Sequence, residues 1–340
     1  MDSPIILYTQ EDCVGSGEQF ASYYYKIVGA FHNAEVGGSR VVAPVLPFAP
    51  RNNRVLETDP TQSVAAHIQA RYMVDCRIFL DLSAAFVCDF DEYLAESKGR
   101  VNSEFFDDGT QVFFNPVHRV FQDAATEQTI TFTIDKSSKF HVKPMHERWD
   151  YGKKIGHIFN ATVKYPFKME VPNYLPSEEY MKFYGQSKNF LAVHWKRGDN
   201  LAAEHGATAD DHSVRTDPER VGDSINYLLS VNRKAHEQDP TVPLCTGIFI
   251  ATDTTVKKDR DRVIQIIRKE QKKIPIFMTP DLSAVEPEKR WAWDGADLWL
   301  GSQASALFLS PYVLEDCSCF GRLMVANARR RIAKLSVTFM

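Results

Sequence analysis

The chain has 340 residues, 44% of them hydrophobic and 25% charged, proportions usual for a water-soluble globular protein of one large or two ordinary domains. Forty basic residues against 44 acidic ones leave a net charge of −4, which implies no general affinity for nucleic acid. No apolar run approaches the roughly 20 residues that a bilayer span needs, so no membrane span is expected.

In chain order the first predicted element is the strand PIILYT, followed by a glycine loop, QEDCVGSGEQ. A helix follows, with Phe20, Tyr24, Ile27, Val28 and Phe31 at spacings of three and four. Gly37 and Gly38 close it, and RVVAPVLPF then reads as one buried strand. Strand, helix and strand make a βαβ unit, whose crossover implies a parallel sheet. Residues 100–165 are less regular, with VFFNP, TITFTID and HIFNATVKY as short, partly alternating strands.

From about residue 175 the pattern sharpens. Ser177, followed by Glu178 and Glu179, predicts a capped helix to about Gly185. There follow the strand NFLAVHW, a helix from Asp217-Pro218, the strand GIFIATD, and a helix through Val263, Ile266 and Ile267. IPIFMT, a helix near 287–302, ALFLS and a last helix near 317–334 complete the series. Apolar strands alternating with amphipathic helices predict an α/β domain with a parallel sheet. The expected division is 1–175 and 176–340.

Compartment is left open. The N-terminus MDSPIILYTQ lacks the basic and long apolar regions of a signal peptide, so the expectation is cytoplasmic, or the lumen of the ER or Golgi if a targeting segment was removed. The cysteines, Cys13, Cys76, Cys88, Cys245, Cys317 and Cys319, form no CxxC pair. Their even number and the NAT sequon at Asn160 permit a secretory route.

Several stretches have residue types suited to chemistry. Open α/β sheets bind ligands at the carboxyl ends of their strands. FLAVHW followed by KRGDN places Lys196, Arg197 and Asp199 at one such end, and FIAT followed by Asp253 supplies a carboxylate at another. Lys196 and Arg197 suit a phosphate, as point charge and planar fork. The competing reading is a solvated loop whose Lys–Asp pair contributes about 0–1 kcal/mol. Gly15 and Gly17 allow close backbone approach before a helix N-terminus, or form only a tight turn. Glu18 beside them is a candidate base or an ordinary first-turn acid. Asp89 and Asp91 spell a DxD metal motif but precede a helix, so an N-cap and a first-turn acid are expected instead. Glu204-His205 and residues 209–212 read as polar loop. GxSxG and P-loop motifs are absent, which disfavours hydrolase and NTPase readings.

Three segments, in order, resemble the GDP-fucose protein O-fucosyltransferases, and more loosely the fucosyltransferases with an HxRR-type motif. They are ILYTQEDCVGSGEQFASYYYKIVGAF with RVVAPVLPF, then FLAVHWKRGD, then IFIATD with GADLWLGSQASALFLS and CSCFGRLMVA. The resemblance implies a GT-B-like fold, two Rossmann-like halves facing across a cleft, with the acceptor side N-terminal and the donor nucleotide mainly C-terminal. It implies inverting transfer of fucose from GDP-fucose to a hydroxyl of a protein or glycan, with no metal and no other cofactor. His194, Lys196 and Arg197 would face the diphosphate, and Asp297, Cys319 and Phe320 would surround the guanosine. Gly15, Gly17, Glu18 and Gln19 would approach the sugar, with Asp199 and Asp253 also on the donor side.

The chain departs from the family where Lys196 replaces the usual Arg, Glu18 replaces an Asn and Cys319 replaces a Ser. PYVLED reads as an insertion. Bidentate geometry leads us to expect Arg197, if Gly198 lets it turn into the cleft, as the larger catalytic contributor. Strict strand alternation favours Lys196. Two other readings remain: a non-catalytic nucleotide- or partner-binding protein, and a metal-dependent DxD glycosyltransferase using another sugar nucleotide.

Overall fold

In a computed structural model the chain forms two units, Met1–Lys168 and Met169–Met340, each with a parallel sheet and helices. The structure describes residues 3–9, 20–47, 73–83, 85–116, 119–145, 164–165, 167–197, 214, 216–282, 285, 289–309, 319–332 and 336–339.

The first unit begins with the expected βαβ unit. Strand β1 (Ile5–Thr9) leads through helix α1 (Phe20–Val36) to β2 (Arg40–Val42), which pairs with β1 in parallel. Tyr24, Ile27, Val28 and Phe31 form the buried stripe of α1. The helix stops where Gly38 takes a left-handed φ of 64°. The Ser39 N–H then bonds the Ala34 carbonyl at 2.8 Å and the Gly38 N–H that of Glu35 at 2.9 Å, covering carbonyls the helix leaves unpaired.

RVVAPVLPF is two strands rather than the one expected. Pro44 has no N–H for the ladder, and beyond Ala43 the chain leaves the parallel sheet. β3 (Val45–Pro47) pairs antiparallel with β4 (Met73–Asp75). Next come β5 (Val87–Cys88), α2 (Phe90–Ser97), β6 (Arg100–Val101), β7 (Gln111–Asn115), β8 (Val120–Gln122), β9 (Ile130–Ile134) and β10 (Phe140–Pro144). One sheet has the order β10-β1-β2-β5, all parallel, and another the order β6-β9-β7-β8. The expected VFFNP and TITFTID strands are β7 and β9, paired antiparallel. Tyr93, Phe114 and Phe132 are the large fully buried rings of the core beneath them.

The second unit follows the predicted alternation. It comprises α3 (Glu178–Gln186), β11 (Phe190–Trp195), α4 (Pro218–Gln238), β12 (Gly247–Thr252) and α5 (Lys257–Glu270). Then come β13 (Ile276–Met278), α6 (Arg290–Ser302), β14 (Ala306–Leu309), α7 (Cys319–Arg331) and β15 (Ser336–Phe339). Ser177 caps α3 by accepting from the Glu179 N–H at 3.2 Å, and Asp217 caps α4 from Glu219 at 2.9 Å, with Pro218 in the first turn.

The sheet order is β13-β12-β11-β14-β15 and every pairing is parallel. Strands β11 and β12 are buried at all positions, as strands covered on both faces must be. One face of β11, through Leu191, Val193 and Trp195, packs on Val221 and Ile225 of α4 and Val263 and Ile267 of α5. On the other face Phe190 meets Phe183 of α3, while Tyr180 sets its ring edge-on to Phe277 at 4.7 Å. From β11 the chain proceeds outward to β12 and β13, then returns to the other side of β11 as β14. The reversal makes the carboxyl ends of β11 and β14 the switch point of the sheet, where such sheets take ligands.

Candidate functional site

The switch point of the second unit is built from the end of β11 and the start of α7. His194 pairs in register with Leu309 of β14, is only 7% exposed, and stacks on Phe320 with ring centroids 5.5 Å apart. Phe320 is half-buried in the first turn of α7. The helix N-terminus there has backbone N–H groups suited to an anion. His194 and Phe320 therefore meet at the carboxyl edge.

The two basic residues go different ways. Trp195 faces α4 and α5, and its Nε1–H donates to the Thr216 carbonyl at 2.8 Å. Arg197, two residues on, keeps to that side: Nη1 donates to the same carbonyl at 3.1 Å and Nε to Asp259 Oδ2 at 2.5 Å. The Arg197–Asp259 pair is largely buried, with side chains 11% and 18% exposed. Alternation thus persists past the last paired residue and binds the guanidinium beneath the helices. Lys196 shares the face of His194 and is half-buried at the strand end. Arg197, expected to turn into the cleft, is instead held on the side of the helices.

Asp253 has a similar holding contact. Its Oδ1 accepts the Arg197 backbone N–H at 2.8 Å, tying the exit of β11 to that of β12. The Thr252 hydroxyl donates to the Trp195 carbonyl at 2.7 Å in the same seam.

Asp297, expected near the guanosine, lies on α6 at 5% exposure with both carboxylate oxygens engaged. Tyr180 OH donates to Oδ1 at 2.5 Å and Thr279 Oγ1 to Oδ2 at 2.7 Å. Burial and the adjacent carboxylate hold the Tyr180 phenol protonated, well above its usual range.

Arg260 was not singled out in the sequence. It spans the ends of β12 and β13, with Nη1 donating to the Thr254 carbonyl at 3.1 Å and Nη2 to that of Thr279. Burial lowers its guanidinium from the usual value. Residue type and spacing alone do not reveal which helical Arg turns inward.

The DxD pair lies in the first unit. Asp89 stands at the N-cap of α2, as expected, but makes no side-chain cap bond; it pairs with Arg77 Nη1 at 2.5 Å. Asp91 is an exposed first-turn acid. Among the described residues no cluster of three or more His, Cys, Asp or Glu is placed to hold a metal. Gly15, Gly17, Glu18, Gln19, Asp199, Asn160, Glu204, His205, residues 209–212 and the side chain of Cys319 lie outside the described residues. Cys76, Cys88 and Cys245 are buried free thiols.

No family model matches the sequence, and no curated protein does. Among solved structures the chain is similar to a crystal structure of NodZ alpha-1,6-fucosyltransferase soaked with GDP-fucose. The two share 12% identity at a TM-score of 0.39, over 96% of this chain and 92% of that one. No residue's role follows from this likeness.

Proposed function

We propose that the protein is a metal-independent glycosyltransferase that moves fucose from GDP-fucose to a hydroxyl of a protein or glycan, with inversion. The observation that carries this reading is the carboxyl edge of the second sheet, where His194, Lys196, Phe320 and the α7 N-terminus share one switch point. An aromatic face, a cation and helix N–H groups suit a base and a diphosphate together. The acceptor oxygen forms a bond to the anomeric carbon as the bond to the diphosphate breaks. Lys196 and the helix N-terminus then stabilise charge growing on the leaving oxygen. Glu18 is assigned the acceptor proton.

Arg197 and Asp253 act one layer below, fixing the strand end that presents Lys196, and Arg260 ties the ends of β12 and β13. The test is melting temperature against GDP, UDP and GDP-mannose, with GDP release from GDP-fucose followed with and without EDTA. At 100 times its dissociation constant GDP adds about 2.7 kcal/mol. A shift by UDP and none by GDP removes the guanine assignment. GDP binding without turnover leaves a binding protein, and turnover abolished by EDTA and restored by manganese leaves a metal-dependent transferase.

A further inference from the structure

Arg119 in the first unit combines a disfavoured backbone with a buried cation. It closes the β7–β8 turn with a left-handed φ of 57°, its N–H bonded to the Asn115 carbonyl at 2.8 Å. Glycine or asparagine suits such a position; a long side chain there is strained. Only 7% of the residue is exposed, and among the described residues its Nε and Nη1 have no hydrogen-bond partner. Burial pushes the guanidinium down to about 10, still charged at neutral pH. Strain and unsatisfied buried donors coinciding in one residue point to a ligand.

Its surroundings say which kind. The guanidinium carbon lies 4.0 Å from the centroid of Phe90, the first residue of α2. A cation lying over a ring keeps its in-plane N–H groups available for acceptors. The N-cap, Asp89, makes no side-chain bond to the first turn of α2. Nearby acids are engaged by other cations: Asp75 and Asp89 by Arg77, at 2.7 and 2.5 Å, and Glu92 by Arg40 at 3.0 Å. Asp91 is exposed. The place is the carboxyl end of β5, the outermost strand of the parallel sheet.

We propose that Arg119, held on Phe90 beside the first turn of α2, binds an oxyanion, a phosphate or a carboxylate, in the first unit. This does not rest on the nucleotide reading of the second unit.

The test uses the full chain carrying Lys196→Ala, so that the other unit's cation does not answer for it. Potassium phosphate and potassium acetate are each titrated against chloride at equal ionic strength. Melting temperature and the arginine Nε–Hε NMR signals are followed, with the Arg119 signal assigned from Arg119→Lys. At ten times its dissociation constant the bound ion should raise the melting temperature by about 3 °C and move the Arg119 signal. A response to phosphate alone, or to acetate alone, fixes the class, and Arg119→Met abolishes it. The proposal fails if neither ion acts beyond chloride, if Arg119→Met responds as strongly, or if the Arg119 signal stays still. The NMR titration decides the matter even where Arg119→Met does not fold.

Discussion

Lys196 and Arg197 are adjacent in the chain, yet Arg197 is tied to Asp259 on the side of the helices while the proposed diphosphate ligand is Lys196. Lys196→Ala should therefore weaken GDP binding, by calorimetry, with little change in melting temperature. Arg197→Ala leaves Asp259 without its partner in a largely buried place, which should cost about 1–3 kcal/mol of stability. A double-mutant cycle with Asp259→Asn measures the coupling. If Arg197→Ala kept its stability while turnover fell 10²–10³-fold, a charge-stabilising role would return to Arg197. Tyr180 presents a parallel case. Tyr180→Phe strips Asp297 Oδ1 of its 2.5 Å donor in a buried site and should lower stability by about 1–3 kcal/mol in urea titration. An unchanged midpoint would mean that another donor replaces it.

Among the elements, α4 and α5 are pressed together at Gly222. A Cβ there would lie 2.8 Å from Ile266 Cβ and Cγ2, and a β-branched side chain has little freedom to withdraw. Gly222→Ala should therefore destabilise the second unit by about 1–3 kcal/mol, despite the better helix propensity of Ala. Melting at or above the wild-type temperature would show that the helices separate cheaply. Strand β10 gives a pH dependence. Partial burial first, and Lys143 second, hold His141 below the usual imidazole range. As pH falls the unfolded chain takes up this proton first, near pH 6.5. The stability of the first unit should thus be level above about pH 7, decline through 6.5, and level again below the folded value. Chemical denaturation between pH 7.5 and 5.5 should show that slope in the wild type and a weaker one in His141→Gln.

At the scale of the whole molecule, what the sequence made legible was what local chemistry decides. Ser177 and Asp217-Pro218 announce helix starts because caps act within a turn of chain, and the six buried residues of β11 read as a covered strand. Pro44 was visible too, but its effect, splitting one apolar run between two sheets, depends on β4 being near. β15 was not anticipated: SVTF is short and lies a few residues beyond a helix that ends in three arginines. The site was legible as a set of residue types and not as directions. His194 and Phe320 do meet, whereas the sides taken by Lys196, Arg197, Arg260 and Arg119 depend on contacts with residues far along the chain.

The return of the chain to the inner edge of β11 has a consequence in time. Leu191 finds its partner Ala306 only after the intervening helices and strands have been made, whereas β11, β12 and β13 can pair earlier. Until then β11 offers an unpaired, largely apolar edge, the kind of surface on which growing chains stick to one another. Distant pairings also form slowly. The edge that binds the proposed nucleotide is therefore among the last to be assembled during synthesis, and the place where a chaperone has most to protect.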